Sequence, residues 1–239
     1  MKRLRGSLAA APATRCRYCF LVLVLALDTS TPAVTAALAE VTDAGLTGLG
    51  ERRVVDPRAH GELLAPQIRA VLADAGARPA QLGAIVAGLG PGPFTGLRVG
   101  LATAASMGQA LGVPTYGICS LDALGRAAGP GRVLVATDAR RREVYFATYV
   151  DGKRVTEPDV AKPAEVPVDA DRAVGEGALK YSDVFGVPIE GRLLHPPGEA
   201  LIALALDKIR AGAAGEPLTP LYLRRPDAVE PSARKHVLP

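Results

Sequence analysis

Apolar residues run without a break from Phe20 to Leu27, and the run stops at Asp28-Thr29-Ser30. A short apolar run closed by polar residues fits a buried strand, and it falls well short of the roughly 20 residues a bilayer-crossing helix needs. Two more extended stretches follow, Ala33–Glu40 and Gly45–Val55, so the chain opens as a three-strand meander. From His60 to Ala75 the period changes, with Leu64, Ile68, Val71 and Ala75 recurring on one helical face. Pro66 is expected to kink the first turns or to mark a restart. A strand at 84–87, a glycine-rich loop, a helix from about Thr95 to Leu111 and a strand at Val113–Cys119 come next. A short helix to Ala128, with Ser120 or Asp122 as its cap, closes this unit.

Gly129-Pro130-Gly131 punctuates the chain, and strand patterning then begins again. Val133–Thr137 ends in Asp138, and Glu143–Val150 leads through an Asp151-Gly152 turn into Lys153–Thr156. Residues 157–171, rich in Pro, Asp and Glu, read as a surface loop. Ala173-Val174 leads into Gly175-Glu176-Gly177, a last helix covers about Glu199–Ala211, and prolines punctuate the chain from Pro217. Each half thus opens with an apolar strand ending in aspartate and continues as a meander, the order expected of a duplicated α/β lobe with a mixed sheet. The expected division is an extension at 1–20, a first lobe at 21–128, a second lobe at 132–228 and a tail at 229–239.

The net charge of +4 over 239 residues changes little. Residues 1–21 hold five basic side chains and no acid, and the remainder balances 23 basic against 24 acidic residues. A near-neutral body gives no charge argument for direct RNA binding. The basic start before an apolar run mimics a signal peptide, but its small residues, Ala9 to Ala13, precede the run instead of following it. Residues 1–20 are therefore expected to be a disordered extension or an overcalled start, and the protein to be cytoplasmic. Cys16 and Cys19 have no second pair and no nearby histidine, so they read as incidental, and Cys119 as a core residue.

The chemistry concentrates in Gly88-Leu-Gly-Pro-Gly-Pro-Phe-Thr-Gly-Leu-Arg-Val-Gly100. A glycine loop between a strand and a helix can cradle a phosphate at the helix N-terminus. The reading the residues favour is a tight turn that launches a close-packing helix, here with Gly96, Gly100 and Ala104 spaced by four. No Gly-Lys-Ser/Thr follows, so it is not a Walker loop, and the glycine spacing does not match the dinucleotide fingerprint.

Together with Asp28-Thr-Ser-Thr, His60-Gly-Glu-Leu-Leu-Ala-Pro, Asp138-Ala-Arg-Arg-Arg-Glu-Val-Tyr145 and Pro220-Leu-Tyr-Leu-Arg-Arg-Pro-Asp-Ala228, this loop resembles the TsaB (YeaZ) family over roughly residues 22–228. The resemblance implies an α/β fold of the actin/Hsp70/sugar-kinase type with two ribonuclease-H-like lobes and mixed β-sheets. It implies a role in making N6-threonylcarbamoyladenosine at position 37 of ANN-decoding tRNAs, as the non-catalytic partner of the paralogue TsaD. TsaE, a P-loop ATPase, would join the pair, TsaC would supply the donor substrate, and tRNA would be met only through the complex. No tightly bound cofactor is expected, with ATP or ADP only at the complex interface.

On that resemblance Asp28, Thr29, Ser30, Gly90, Gly92, Thr95 and Gly96 form a vestigial phosphate loop. The partner-binding face, toward TsaD or a second copy, is expected at His60, Leu64, Ile68, Val71, Leu72, Gly100, Ala104 and Gly108. The histidines are His60, His195 and His236, and none has metal-motif spacing to another. No Gly-x-Ser-x-Gly elbow is present, Asp138-Ala139-Arg140 replaces the small glycine turn of active paralogues, and the arginine triple reads as a solvated corner. No catalytic residue and no metal site are expected. Two alternatives stay open: a small ATPase or kinase using Asp28 and the glycine loop, and a regulatory homodimer.

Overall fold

Strand β1 (Leu21–Asp28) sits at the centre of the first sheet because both of its faces are apolar. Its neighbours are β2 (Ala33–Thr42), antiparallel, and β4 (Leu82–Gly88), parallel. β3 (Leu46–Val55) and β5 (Thr115–Ile118) complete the order β3-β2-β1-β4-β5. The computed structural model describes residues 20–224. The Cys16–Cys19 pair, most of the expected extension, His236 and everything from Arg225 lie outside the described residues.

Side chains alternate across β1 with the period of two that a strand imposes. Leu23, Leu25 and Leu27 face helices α1 (His60–Asp74) and α2 (Phe94–Leu111). Val24 and Ala26 face the opposite layer, a single helix formed by Gly198–Arg210. α1 runs through Pro66 as one helix, and that proline is exposed. No intervening helix breaks the line of buried Leu64, Ile68, Val71 and Leu72 against the sheet.

The second sheet is built on β6 (Arg132–Asp138) and β7 (Val144–Val150), an antiparallel pair. Asp151 and Gly152, both at positive φ, turn β7 into β8 (Lys153–Arg154). The expected surface loop at 157–171 contains a short strand, β9 (Asp159–Ala161), that pairs with β7. β10 (Arg172–Val174) lies parallel to β6 on the other side and leads into two short helices, α4 (Glu176–Lys180) and α5 (Ser182–Phe185).

Packing does not follow the expected boundary at Gly129–Gly131, although the chain does turn there. The helix α3 (Ser120–Ala128) buries Leu121 and Leu124 among Val133, Val135, Ala147 and Tyr149 of the second sheet. A Cβ on Gly125 would stand 2.2 Å from the Tyr149 ring, so helix and strand meet at van der Waals distance. The last helix, α6 (Gly198–Arg210), returns to the first sheet, where a Cβ on Gly198 would lie 2.3 Å from that of Ala37. α6 was expected with the second lobe; it completes the core of the first. The two lobes exchange helices.

Beyond α6 the chain runs back as an extended strap. Tyr116 Oη donates to the Ala213 carbonyl (2.7 Å), and Glu216 N–H to the Thr115 carbonyl (2.8 Å). Leu221 N–H then donates to the Leu89 carbonyl (2.8 Å), and Arg224 Nη1 to the Ala139 carbonyl (3.1 Å). The strap starts on the edge of one sheet and ends on the first hairpin of the other.

Candidate functional site

Asp28 ends β1 at the junction of the two lobes, and its side chain is sealed at 1% exposure. Ser120 Oγ donates to Asp28 Oδ2 (2.6 Å), while the N–H and Oγ of Ser30 donate to Oδ1 (3.0 and 2.8 Å). Ser120 in turn accepts from Gly90 N–H (3.1 Å). Ser120 therefore serves the aspartate and the glycine loop, and the N-cap of α3 is Cys119, with no side-chain cap. Burial pushes the Asp28 carboxyl above the usual carboxylate range, and these hydrogen bonds pull it partly back.

The glycine loop closes on this turn. A Cβ at Gly88 would lie 1.8 Å from Asp28 Oδ2, and one at Gly92 would lie 2.2 Å from the Ser30 carbonyl oxygen. At Gly90 the positive φ of 89° adds a backbone reason. Thr29 Oγ1 inserts into the first turns of α2, donating to the Gly96 carbonyl (2.8 Å) and accepting from Gly100 N–H (3.1 Å). The four-residue spacing of Gly96, Gly100 and Ala104 does mark a close-packed face. Its neighbours are Thr29 and the protein's own sheet.

The second lobe contributes Glu176 and His195. Glu176 Oε1 accepts from Asp138 N–H at the end of β6 (3.2 Å), and Oε2 lies 4.0 Å from His195 Nδ1. His195 Nδ1 is also 3.1 Å from Thr31 Oγ1, so the two lobes meet through this ring. Burial raises the Glu176 carboxyl to about 8, with Asp138 and Asp28 adding to the shift. Burial lowers His195 to about 4, helped by the Arg53 charge. At neutral pH the His195 ring is neutral and the Glu176 carboxyl is mostly protonated, which suits a seam with so little solvent. Thr29, Ser30, Thr31, Ser120 and His195 are all buried with Asp28. The inter-lobe cleft is filled by its own side chains at the point where Asp28 could have met a phosphate.

Of the expected loop residues, Asp28, Thr29, Ser30, Gly90, Gly92 and Gly96 are brought together, and Thr95 stands apart on the exposed start of α2. The expected partner face is corrected. Leu64, Ile68, Val71, Leu72 and Ala104 lie in the hydrophobic core, Gly100 abuts Thr29, and Gly108 abuts Thr115. A helix resting on a sheet spends its most apolar face there. His60 is partly buried, and its Nε2–H donates to the Thr31 carbonyl (2.9 Å), tying the start of α1 to the same turn. The exposed side of the helix pair carries Ala65, Arg69 and Ala73 on α1, with Ala102, Ala105, Ser106 and Gln109 on α2.

Sequence reasoning missed Ser120, Thr31, Glu176 and His195. Glu176 did leave a signal, a single acid bracketed by glycines at a strand-to-helix junction. A Cβ on Gly175 would meet the Ala136 carbonyl oxygen at 2.2 Å, and one on Gly177 the Thr137 carbonyl carbon at 2.6 Å. Among the described residues no three His, Cys, Asp or Glu side chains group as metal ligands.

A profile of the family described as TsaD, tRNA N6-adenosine threonylcarbamoyltransferase, matches residues 55–208. A solved structure of YeaZ from Pseudomonas aeruginosa superposes with a TM-score of 0.70 at 30% identity, covering 84% of this chain and 100% of that one. The chain belongs to the TsaB/YeaZ family. The crystal structure of a Pseudomonas aeruginosa protein with similarity to peptidase YEAZ gives a TM-score of 0.71 at 31% identity over 85% of this chain and 100% of its own. The Escherichia coli tRNA threonylcarbamoyladenosine biosynthesis protein TsaB is 28% identical over 222 residues, 84% of this chain and 94% of its own length. An uncharacterised Mycobacterium tuberculosis protein is 50% identical over 206 residues, 86% of this chain and 93% of its own. The two sheets are accordingly the ribonuclease-H-like lobes of an actin/Hsp70/sugar-kinase-type fold. In this TsaB/YeaZ chain no helix among the described residues is long and apolar enough to cross a membrane.

Proposed function

We propose that this chain is a non-catalytic subunit that pairs with a TsaD-type paralogue and holds it competent to make N6-threonylcarbamoyladenosine in ANN-decoding tRNAs. The observation that carries this reading is the sealed Asp28, whose two carboxylate oxygens are already engaged by Ser30 and Ser120. An ATPase or kinase of this fold needs that carboxylate turned toward phosphate. Here a nucleotide would have to displace buried side chains from both lobes. On this reading ATP or ADP binds only at the interface of the complex, outside this cleft.

Pairing is assigned to the outer side of α1 and α2. Alanines at 65, 73, 102 and 105 keep that side low, so the helices of a partner can approach closely and form a four-helix contact. The same surface accounts for a homodimer when the paralogue is absent. A TsaE-type ATPase would join the pair and a TsaC-type enzyme would supply the activated donor. The test is reconstitution. Modification by the paralogue, ATPase and donor enzyme is expected to require this chain, which alone hydrolyses no ATP. Full modification with the chain omitted, or ATP turnover by the chain that Asp28→Ala abolishes, would refute the reading.

A further inference from the structure

Two depressions meet at Arg141 on the outer mouth of the inter-lobe cleft. The first, about 540 Å³, is walled by Arg58, His60, Phe94, Arg140, Tyr222 and Arg224. The second, about 670 Å³, is walled by Arg142, Lys162, Lys180 and Tyr181. Neither lining contains a carboxylate. Residues 20–224 carry 20 basic and 22 acidic side chains, yet seven of those cations line this one track. The expectation of a neutral body holds for the whole and fails locally.

Three of the seven have carboxylate partners outside the lining: Arg224 with Glu143, Lys180 with Asp138 (2.9 Å) and Lys162 with Glu165 (3.3 Å). Arg58, Arg140 and Arg142 form no ion pair among the described residues. Arg140, Arg141 and Arg142 all sit at positive φ (59°, 52° and 62°), a conformation that is unfavourable for an L-residue and that Asn or Gly would adopt more easily. Three cations are held on a turn whose backbone favours other residues. Beside them Phe94 and Tyr222 stack with ring centroids 5.1 Å apart, 43% and 39% exposed. The Arg98 guanidinium covers Phe94 at 3.8 Å. α1 and α2 both begin at this edge, and neither N-terminus has a side-chain cap.

We propose that this track binds an RNA strand through its phosphates, with the Phe94–Tyr222 pair as a platform for an unstacked base. Cations spread along two adjoining depressions suit a polyanion, and exposed aromatic and guanidinium planes are what single-stranded bases stack on. The proposal rests on the reading that this chain works within a tRNA-modifying assembly. It reassigns the arginine triple from solvated corner to contact surface.

The experiment uses the full chain paired with its TsaD-type paralogue and, as probe, a fluorescent anticodon stem-loop RNA of an ANN-decoding tRNA. Anisotropy titrations across a salt series compare wild type with R140N/R142N and with Arg58→Gln. The double variant should bind about tenfold more weakly, with a salt slope shallower by about 1.5, as loss of two phosphate contacts requires. Its melting temperature should stay level or rise, because Asn suits a left-handed backbone. Unchanged affinity and slope would overturn the proposal. So would loss of pairing on a sizing column, which would place the arginines in the protein interface. So would a variant that loses only ATP binding, which would give the track to a free nucleotide. If the wild-type chain fails to pair, or modification proceeds without it, the proposed function falls on that result alone, whatever the RNA titration gives.

Discussion

Ser120 Oγ and Asp28 Oδ2 lie 2.6 Å apart across 92 residues of sequence, and Gly88 leaves them the room. The contact joins the end of β1 to the start of α3, the helix that crosses to the other lobe. Ser120→Ala would strand Gly90 N–H and one oxygen of a buried carboxylate, at a cost of about 1–3 kcal/mol. Gly88→Ala should cost about 3 kcal/mol, because its Cβ would overlap that oxygen. Urea midpoints test both, and equal stability of the two variants and wild type would show that this contact is not structural.

Burial separates folding from pairing on α1 and α2. Leu64 is 1% exposed in the core, so Leu64→Asp should unfold the protein, at several kcal/mol, before any partner is involved. Ala105→Arg, on the exposed side of α2, should leave the melting temperature within a few degrees and abolish co-elution with the paralogue. Co-elution of Ala105→Arg at wild-type level would remove the outer face from the interface.

The seam between Glu176 and His195 sets a pH dependence. Glu176 titrates near 8 in the fold against 4.5 as an ordinary side chain, so its contribution is complete below 4.5 and is lost as pH rises to 8. His195 runs the other way: its contribution is present above 6.5 and is lost as pH falls toward 4. The two oppose each other between 4.5 and 6.5, which leaves Glu176 alone between 6.5 and 8. Asp138 and Asp28 raise the Glu176 shift, and Lys180 holds Asp138. Urea midpoints of the wild type should fall from pH 6.5 to 8.5, and Glu176→Gln should flatten that fall. A parallel fall in the variant would assign the slope elsewhere.

The strap predicts a local effect. Leu221→Pro removes the N–H that meets the Leu89 carbonyl, and it should speed hydrogen exchange along the glycine loop while costing about 1–2 kcal/mol globally. Exchange confined to residues beyond 213 would mean that the strap merely rests on the loop.

The succession of elements along the chain and most of their limits were legible because apolar runs and periods report burial directly, as at Leu21–Asp28 and His60–Asp74. What covers each face was not. The stripe Leu64-Ile68-Val71 says that something apolar lies against it, and the sheet and a partner helix write the same pattern. For the same reason α6 was assigned by its place in the chain to the wrong lobe. Asp28 and the glycines were found because their types are informative. Ser120, Thr31 and His195 were not, since a single serine or histidine carries no signal until long-range packing places it. The cationic track escaped notice because charge was summed over the chain, and its members are scattered from Arg58 to Arg224.

The exchange of helices between lobes bears on how the protein is made. During synthesis β1, β2, β4 and β5 emerge with α1 and α2, so one face of the first sheet can be covered early. The other face, with Val24, Ala26, Ala39, Val41 and Val86, waits for α6 near the end of the chain. Each half of the sequence encloses one core of its own and leaves the other face of its sheet uncovered. Severed at Gly129–Gly131, each piece would keep one covered sheet face and leave the other open, for want of a layer that the other piece holds.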